Sequence, residues 1–140
     1  MNQIPRLLAV AVAALSVACT HDAFTPNINS VAGTYHLQAL TVTDIGSTRD
    51  WVAMGATMTI TLAPNGTTTG RLFMPGADAG GSDLDVSLEG YWTLSGKSVE
   101  FLQLYYSFVQ DVTFFATDNR LEGNHAFGLT GVSTRIVVTK

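Results

Sequence analysis

Apolar and polar residues alternate with period two along most of the chain from residue 33 to residue 139, and the alternation is cleanest over residues 84–104. There Leu84, Val86, Leu88, Trp92 and Leu94 share one parity, and Asp85, Ser87, Glu89, Tyr91 and Thr93 share the other. Successive side chains on a strand point to opposite faces, so this pattern predicts one buried and one wet face. A two-residue turn at Gly96-Lys97, with glycine at the first central position as a type II′ turn requires, sets Leu94 opposite Val99 and Trp92 opposite Phe101. The stretch reads as a single β-hairpin whose apolar face continues across the turn.

The flanking segments repeat this pattern. Residues 33–43 form a first strand, with Tyr35, Leu37 and Ala39 on one parity and Leu40 and Val42 on the other; the phase change near Ala39-Leu40 predicts a bulge. Residues 44–55 lose the alternation and read as a long loop with room for one helical turn, carrying Gly46, Trp51 and Met54. Residues 56–62 and 67–74 form a hairpin. A loop with Pro64 and Asn65 central and Gly66 left-handed pairs Met58 with Leu72 and Ala56 with Met74, which keeps Thr57, Thr59, Thr61, Thr69 and Arg71 together on the wet side. Residues 75–83 are a glycine-rich loop whose Asp78 and Asp83 lack EF-hand spacing.

After an apolar connection at 106–110, residues 111–117 and 120–127 turn at Asp118-Asn119, which pairs Ala116 with Leu121, Phe114 with Gly123 and Val112 with His125. A loop at 128–131 then pairs Phe127 with Val132, His125 with Thr134, Gly123 with Ile136 and Leu121 with Val138. Eight consecutive strands without a crossover helix predict an all-β fold, an eight-stranded antiparallel up-and-down barrel. The tight turns alternate with the long connections, so such a barrel has one closed end and one mouth. Its inner face would carry Met58, Ile60, Leu72, Met74, Trp92, Phe101, Phe114 and Phe127, with Gln103, Tyr105, His125 and Thr134 as polar members. A few polar groups in an apolar lumen describe a small-molecule site, and equally a filled core, because eight strands enclose a space that side chains alone can close.

Composition adds a cellular address. Only 13% of residues are charged, against about a quarter in a typical domain, and threonine supplies much of the polar face. The net charge of −4 offers no footprint for nucleic acid. Residues 1–18 read as an export signal: Arg6 lies ahead of the uncharged run 7–18, which is too short to span a bilayer. The lone cysteine, Cys19, ends Leu15-Ser16-Val17-Ala18-Cys19, which resembles the bacterial lipobox, and that resemblance implies an acylated N-terminus that anchors the chain to a membrane. Residues 19–30 would then be a tether and 31–140 the folded domain, with no cysteine left for a disulfide.

Gly33-Thr34-Tyr35 opening the first strand, the large first loop and Thr117-Asp118-Asn119 at a closed-end turn resemble the bacterial lipocalin-like domains of envelope lipoproteins, with Arg135 in the place of a closed-end cation. The resemblance implies a protein of the bacterial cell envelope, facing the periplasm or the cell surface, that binds a small apolar or lipid-like ligand. Candidate ligand contacts are Trp51 and Met54 as a lid, then Met74, Trp92, Phe101, Gln103, Tyr105, Phe114, His125, Phe127 and Thr134 in the lumen and mouth. The other reading is a filled barrel that docks on an envelope protein. His21, His36 and His125 come with no nucleophile motif, phosphate loop, acidic pair or metal-ligand spacing, so neither an enzyme nor a cofactor is expected.

Replacing Cys19 with serine is expected to abolish membrane attachment, because no other segment is long and apolar enough to hold the chain. Fractionation of cells expressing Cys19→Ser checks this; retention in the membrane pellet at the unmutated level would refute the lipoprotein assignment.

Overall fold

The computed structural model describes residues 23–106, 108–127 and 131–140, and Cys19, His21 and the segment expected to be an export signal lie outside them. Among the described residues the strands form one antiparallel sheet that closes on itself as an eight-stranded barrel. Ten strands build it: β1 (Gly33–Asp44), β2 (Ser47–Asp50), β3 (Thr57–Leu62), β4 (Thr67–Met74), β5 (Leu84–Ser87), β6 (Gly90–Ser95), β7 (Ser98–Gln103), β8 (Phe114–Ala116), β9 (Arg120–Phe127) and β10 (Val132–Thr139). Closure comes from β1 pairing with β10, His36 opposite Thr139 through to Thr43 opposite Ser133.

The ten strands reduce to eight staves because two staves are interrupted. β5 and β6 run along β4 in one register, and the amide of Leu88 donates to the Gly70 carbonyl at 3.0 Å between them. β2 and β3 both pair with β1, at Thr41–Asp44 and at Gly33–His36 respectively. Residues 51–55 are a turn inserted in this second stave, closed by the Ala56 amide on the Trp51 carbonyl at 2.8 Å.

The 44–55 segment is therefore not a loop throughout: it holds a hairpin turned at Ile45-Gly46 and a four-residue strand. That strand, Ser-Thr-Arg-Asp, is exposed at every position, so it has no hydrophobic alternation to reveal it. Most of the remaining register expectations hold. The chain slips by one residue between Leu37 and Ala39, Met58 faces Leu72, Trp92 faces Phe101, Phe114 faces Gly123 and His125 faces Thr134. Gly66 (φ 86) and Gly96 (φ 59) take the left-handed conformations that their turns need.

The expected strand at 111–117 is much shorter than its apolar pattern implies. β8 has three residues and meets β7 only at Ser98–Phe115 and Val99–Phe114. Val112 does not pair with His125; it turns inward and is buried, as is Val109. A Cβ on Gly123 would lie 2.3 Å from Val112 Cγ1, so the missing side chain at 123 is what admits the 109–112 turn to the barrel interior.

The closed end is sealed by hydrogen bonds between successive turns. Trp92 N–H donates to Gly66 O (2.8 Å), Ala116 N–H to Lys97 O (2.8 Å) and Lys140 N–H to Asn119 O (2.9 Å). The Trp92 indole donates to Ala63 O at 2.8 Å. Residues expected to be a tether contribute the last piece: α1 (Ile28–Val31), started by an Asn27–Ser30 capping box, buries Val31 against the core. The buried Tyr35 phenol donates to Val31 O at 2.7 Å, and burial pushes its pKa up to about 12, so it stays a neutral donor. Lys140, not Arg135, is the cation over this ring, 5.4 Å from its centroid. Arg135 lies on the outer wall beside Glu122, whose carboxylate is held below its usual pKa chiefly by the hydrogen bond from Arg135.

Trp92→Ala is expected to cost about 3–5 kcal/mol, because it removes a buried ring and strands the Ala63 carbonyl. Tyr91→Ala, one residue away on the exposed face, should cost under about 1 kcal/mol. Urea unfolding of the full chain, made by cell-free translation so that no acyl group is added, compares the two; equal losses would contradict the face assignment.

Candidate functional site

The interior between the closed end and the barrel's middle is filled. Tyr35, Ile60, Leu72, Phe114, Leu121, Ile136 and Val138 are all fully buried, and the rings of Phe101 and Phe114 meet edge to face at 5.3 Å. Space opens above this packing. A cleft of about 250 Å³ lies at the mouth, between the β1–β2 hairpin, the β4–β5 connection and the segment after β7. Its apolar walls are Val42, Trp51, Met74, Ala77, Leu84 and Phe108, with Asp44, Ser47, Arg49 and Tyr106 on the polar side.

Each wall has a local cause. The Ile45-Gly46 turn (Gly46 φ 82) folds β2 back on β1, placing Arg49 opposite Val42 and Ser47 opposite Asp44, so all four belong to one face of the hairpin. Trp51 N–H donates to Leu40 O at 2.9 Å, which carries the ladder one step further and sets the indole against the core. Met74 and Leu84 face each other across the β4–β5 ladder. Asp83 Oδ1 accepts from Gly76 N–H at 2.9 Å and ties the connection between them into a compact loop.

The predicted ligand contacts do not all meet here. Trp51 and Met74 line the cleft. Met54 does not; it is 48% exposed, because the 51–55 turn buries Trp51 and points Met54 outward, so the two residues do not form a lid together. Trp92, Phe101 and Phe114 are core residues below the cleft. Tyr105 is 70% exposed rather than luminal, since β7 ends at Gln103 and the period-two pattern ends with it. His125 and Phe127 are half-buried with rings 4.5 Å apart, and His125 and Thr134 border a separate shallow depression with Thr41, Asn124 and Arg135.

Sequence reasoning missed Arg49, Asp44, Ser47, Leu84 and Phe108 as cleft residues. A signal was present in Arg49-Asp50-Trp51 after a glycine turn, where a charged residue and an aromatic two positions apart share a strand face. Phe108 had none, because the segment carrying it is irregular.

Gln103 and Thr134 are the predicted polar members that stayed buried, and among the described residues neither amide atom of Gln103 (8% exposed) is hydrogen-bonded and the buried Trp51 indole N–H has no partner. The Gln103 backbone N–H, left without a strand partner by the shortness of β8, is met by the Gln110 side chain at 3.3 Å. Among the described residues no group of three or more His, Cys, Asp or Glu comes together to hold a metal ion. Compared with known proteins, the chain matches no family model, no curated protein and no solved structure.

An unpaired buried amide costs about 1–3 kcal/mol, and a methionine of the same length has no such group to satisfy. Gln103→Met is therefore expected to raise stability by about 1 kcal/mol or more in urea unfolding. A loss of that size would mean that the amide is paired inside the barrel.

Proposed function

We propose that this protein is a lipocalin-like envelope lipoprotein that binds a small apolar or amphipathic molecule at the mouth of its barrel. The observation that carries the reading is the cleft itself: an indole, a thioether, a leucine and a phenylalanine converge on an opening bordered by a few polar groups, the usual make-up of a small-molecule site. At about 250 Å³ it falls below the roughly 300–1,000 Å³ of drug-sized sites, which favours a short, single-chain ligand over one that fills the lumen. The burial of the side chains lower in the barrel favours binding at the mouth over binding deep in the lumen. The chain enters the barrel at the closed end, through α1, so a lipid on Cys19 would leave the mouth facing away from the tether and open to the aqueous side.

A second reading, an interaction module of the envelope, is favoured by one specific feature. Tyr91 and Leu102 are paired across β6 and β7 on the outer wall, and Phe115 on β8 is exposed as well. These side chains could dock on a partner protein.

Binding of N-phenyl-1-naphthylamine, an apolar fluorescent probe, separates the two. On the cleft reading, Ala77→Asp weakens binding by at least about tenfold, equivalent to about 1.4 kcal/mol, whereas Leu102→Asp leaves it unchanged. Sensitivity to Leu102→Asp with indifference to Ala77→Asp would move the site to the outer wall and support the second reading.

A further inference from the structure

The polar side of the cleft has a charge that the fold does not use. Four arginines lie among the described residues, and three of them are paired in the barrel wall: Arg71 holds Asp85 through two bonds of 2.5 Å, and Arg120 and Arg135 share Glu122. Arg49 has no carboxylate partner among the described residues. Its guanidinium instead lies over the Trp51 ring, 5.3 Å from the centroid, on the wall of the cleft.

Two carboxylates in the same hairpin are engaged elsewhere. Asp44 Oδ1 accepts from Ile45 N–H at 2.6 Å and Asp50 Oδ1 from Ala53 N–H at 3.2 Å, each stabilising a turn. Asp50 follows Arg49 directly on β2, so the two side chains leave opposite faces. The cation–π contact with the indole holds the guanidinium at the cleft, no hydrogen bond among the described residues occupies its N–H groups, and these match a carboxylate or phosphate oxygen pair.

We propose that the cleft selects a monoanionic amphiphile, whose acidic head pairs with Arg49 while its apolar chain lies between Trp51, Met74, Leu84 and Phe108. This rests on the cleft being the binding site. Asp44, also at the cleft, sets the charge limit: a second negative charge on the ligand would meet this carboxylate, so a singly charged head is preferred to a dianion.

The test uses three ten-carbon probes that differ only in the head, decanoate, 1-decanol and decyltrimethylammonium, titrated calorimetrically into the full chain made by cell-free translation. Decanoate is expected to bind at least about tenfold more tightly than decanol. In Arg49→Gln that preference should vanish while decanol affinity is retained, which shows that the cleft is intact. The preference should also shrink as salt is added, because the pair is partly exposed. A decanoate preference that survives Arg49→Gln, equal affinities for decanoate and decanol, or tighter binding of the ammonium probe would each overturn the proposal and leave the cleft reading standing. Failure of all three probes to bind would overturn both.

Discussion

The volume that a side chain on Gly123 would occupy is filled by Val112, and the upper half of the barrel is arranged around that substitution of one chain segment for another. With Val112 and Val109 turned inward, the segment after β7 is drawn into the barrel interior and cannot continue β8 along β7. The ladder between those strands stops after two residue pairs as a result. The same packing decides where a ligand can go. A lumen that β-strands alone would leave partly open is closed from within, and free volume is displaced upward to the mouth, where Trp51 and Phe108 form its sides.

The two ends of the barrel differ in how their turns and strand ends are tied together, although among the described residues each keeps a buried polar atom without a partner, Arg120 Nε at the closed end and the Gln103 amide and Trp51 indole N–H at the mouth. At the closed end each tight turn accepts a hydrogen bond from a neighbouring stave, the Trp92 indole is bonded, and α1 covers the opening with its own cap in place. At the mouth the Gln103 amide and the Trp51 indole are buried and unpaired, and one β7 amide relies on a glutamine side chain. Regions with fewer satisfied backbone groups open at lower free energy than a hydrogen-bonded core. With one β7 amide held only by a side chain, the backbone at the mouth is less firmly tied than at the closed end, where main-chain bonds join the turns to their neighbours.

The barrel was legible in the sequence wherever one face of a strand is buried, because a one-residue slip would then expose every apolar side chain. Hence the pairings Met58–Leu72, Trp92–Phe101 and His125–Thr134 followed from parity and turn chemistry alone, and so did the bulge in β1. Three features were not legible, for three different reasons. β2 is exposed on both faces and has no hydrophobic signature. The inward turn at 109–112 depends on space left by a glycine on another strand, a tertiary fact that no local pattern encodes. The four-residue helix α1 is too short for periodicity, and only the Asn27-to-Ser30 spacing of its capping box marked it.

The candidate site is bordered by two such stretches, β2 and the irregular segment after β7, which explains why only Trp51 and Met74 of the predicted contacts line it. Parity assigns residues to the inside of a barrel but does not say whether the inside is reachable, and most of the predicted residues belong to the sealed part. The cleft needs side chains that are neither core nor freely solvated: an arginine parked on an indole and two apolar residues on a loop edge. Such residues satisfy no packing rule in their own strands. Arg49 is distinguished from Arg71, Arg120 and Arg135 by the same criterion, since those three neutralise carboxylates on adjacent positions of the wall whereas Arg49 leaves its charge at the opening. An uncompensated cation costs little at a solvent-exposed rim and gains value when a ligand brings both a counter-charge and a chain that excludes water from the indole beneath it.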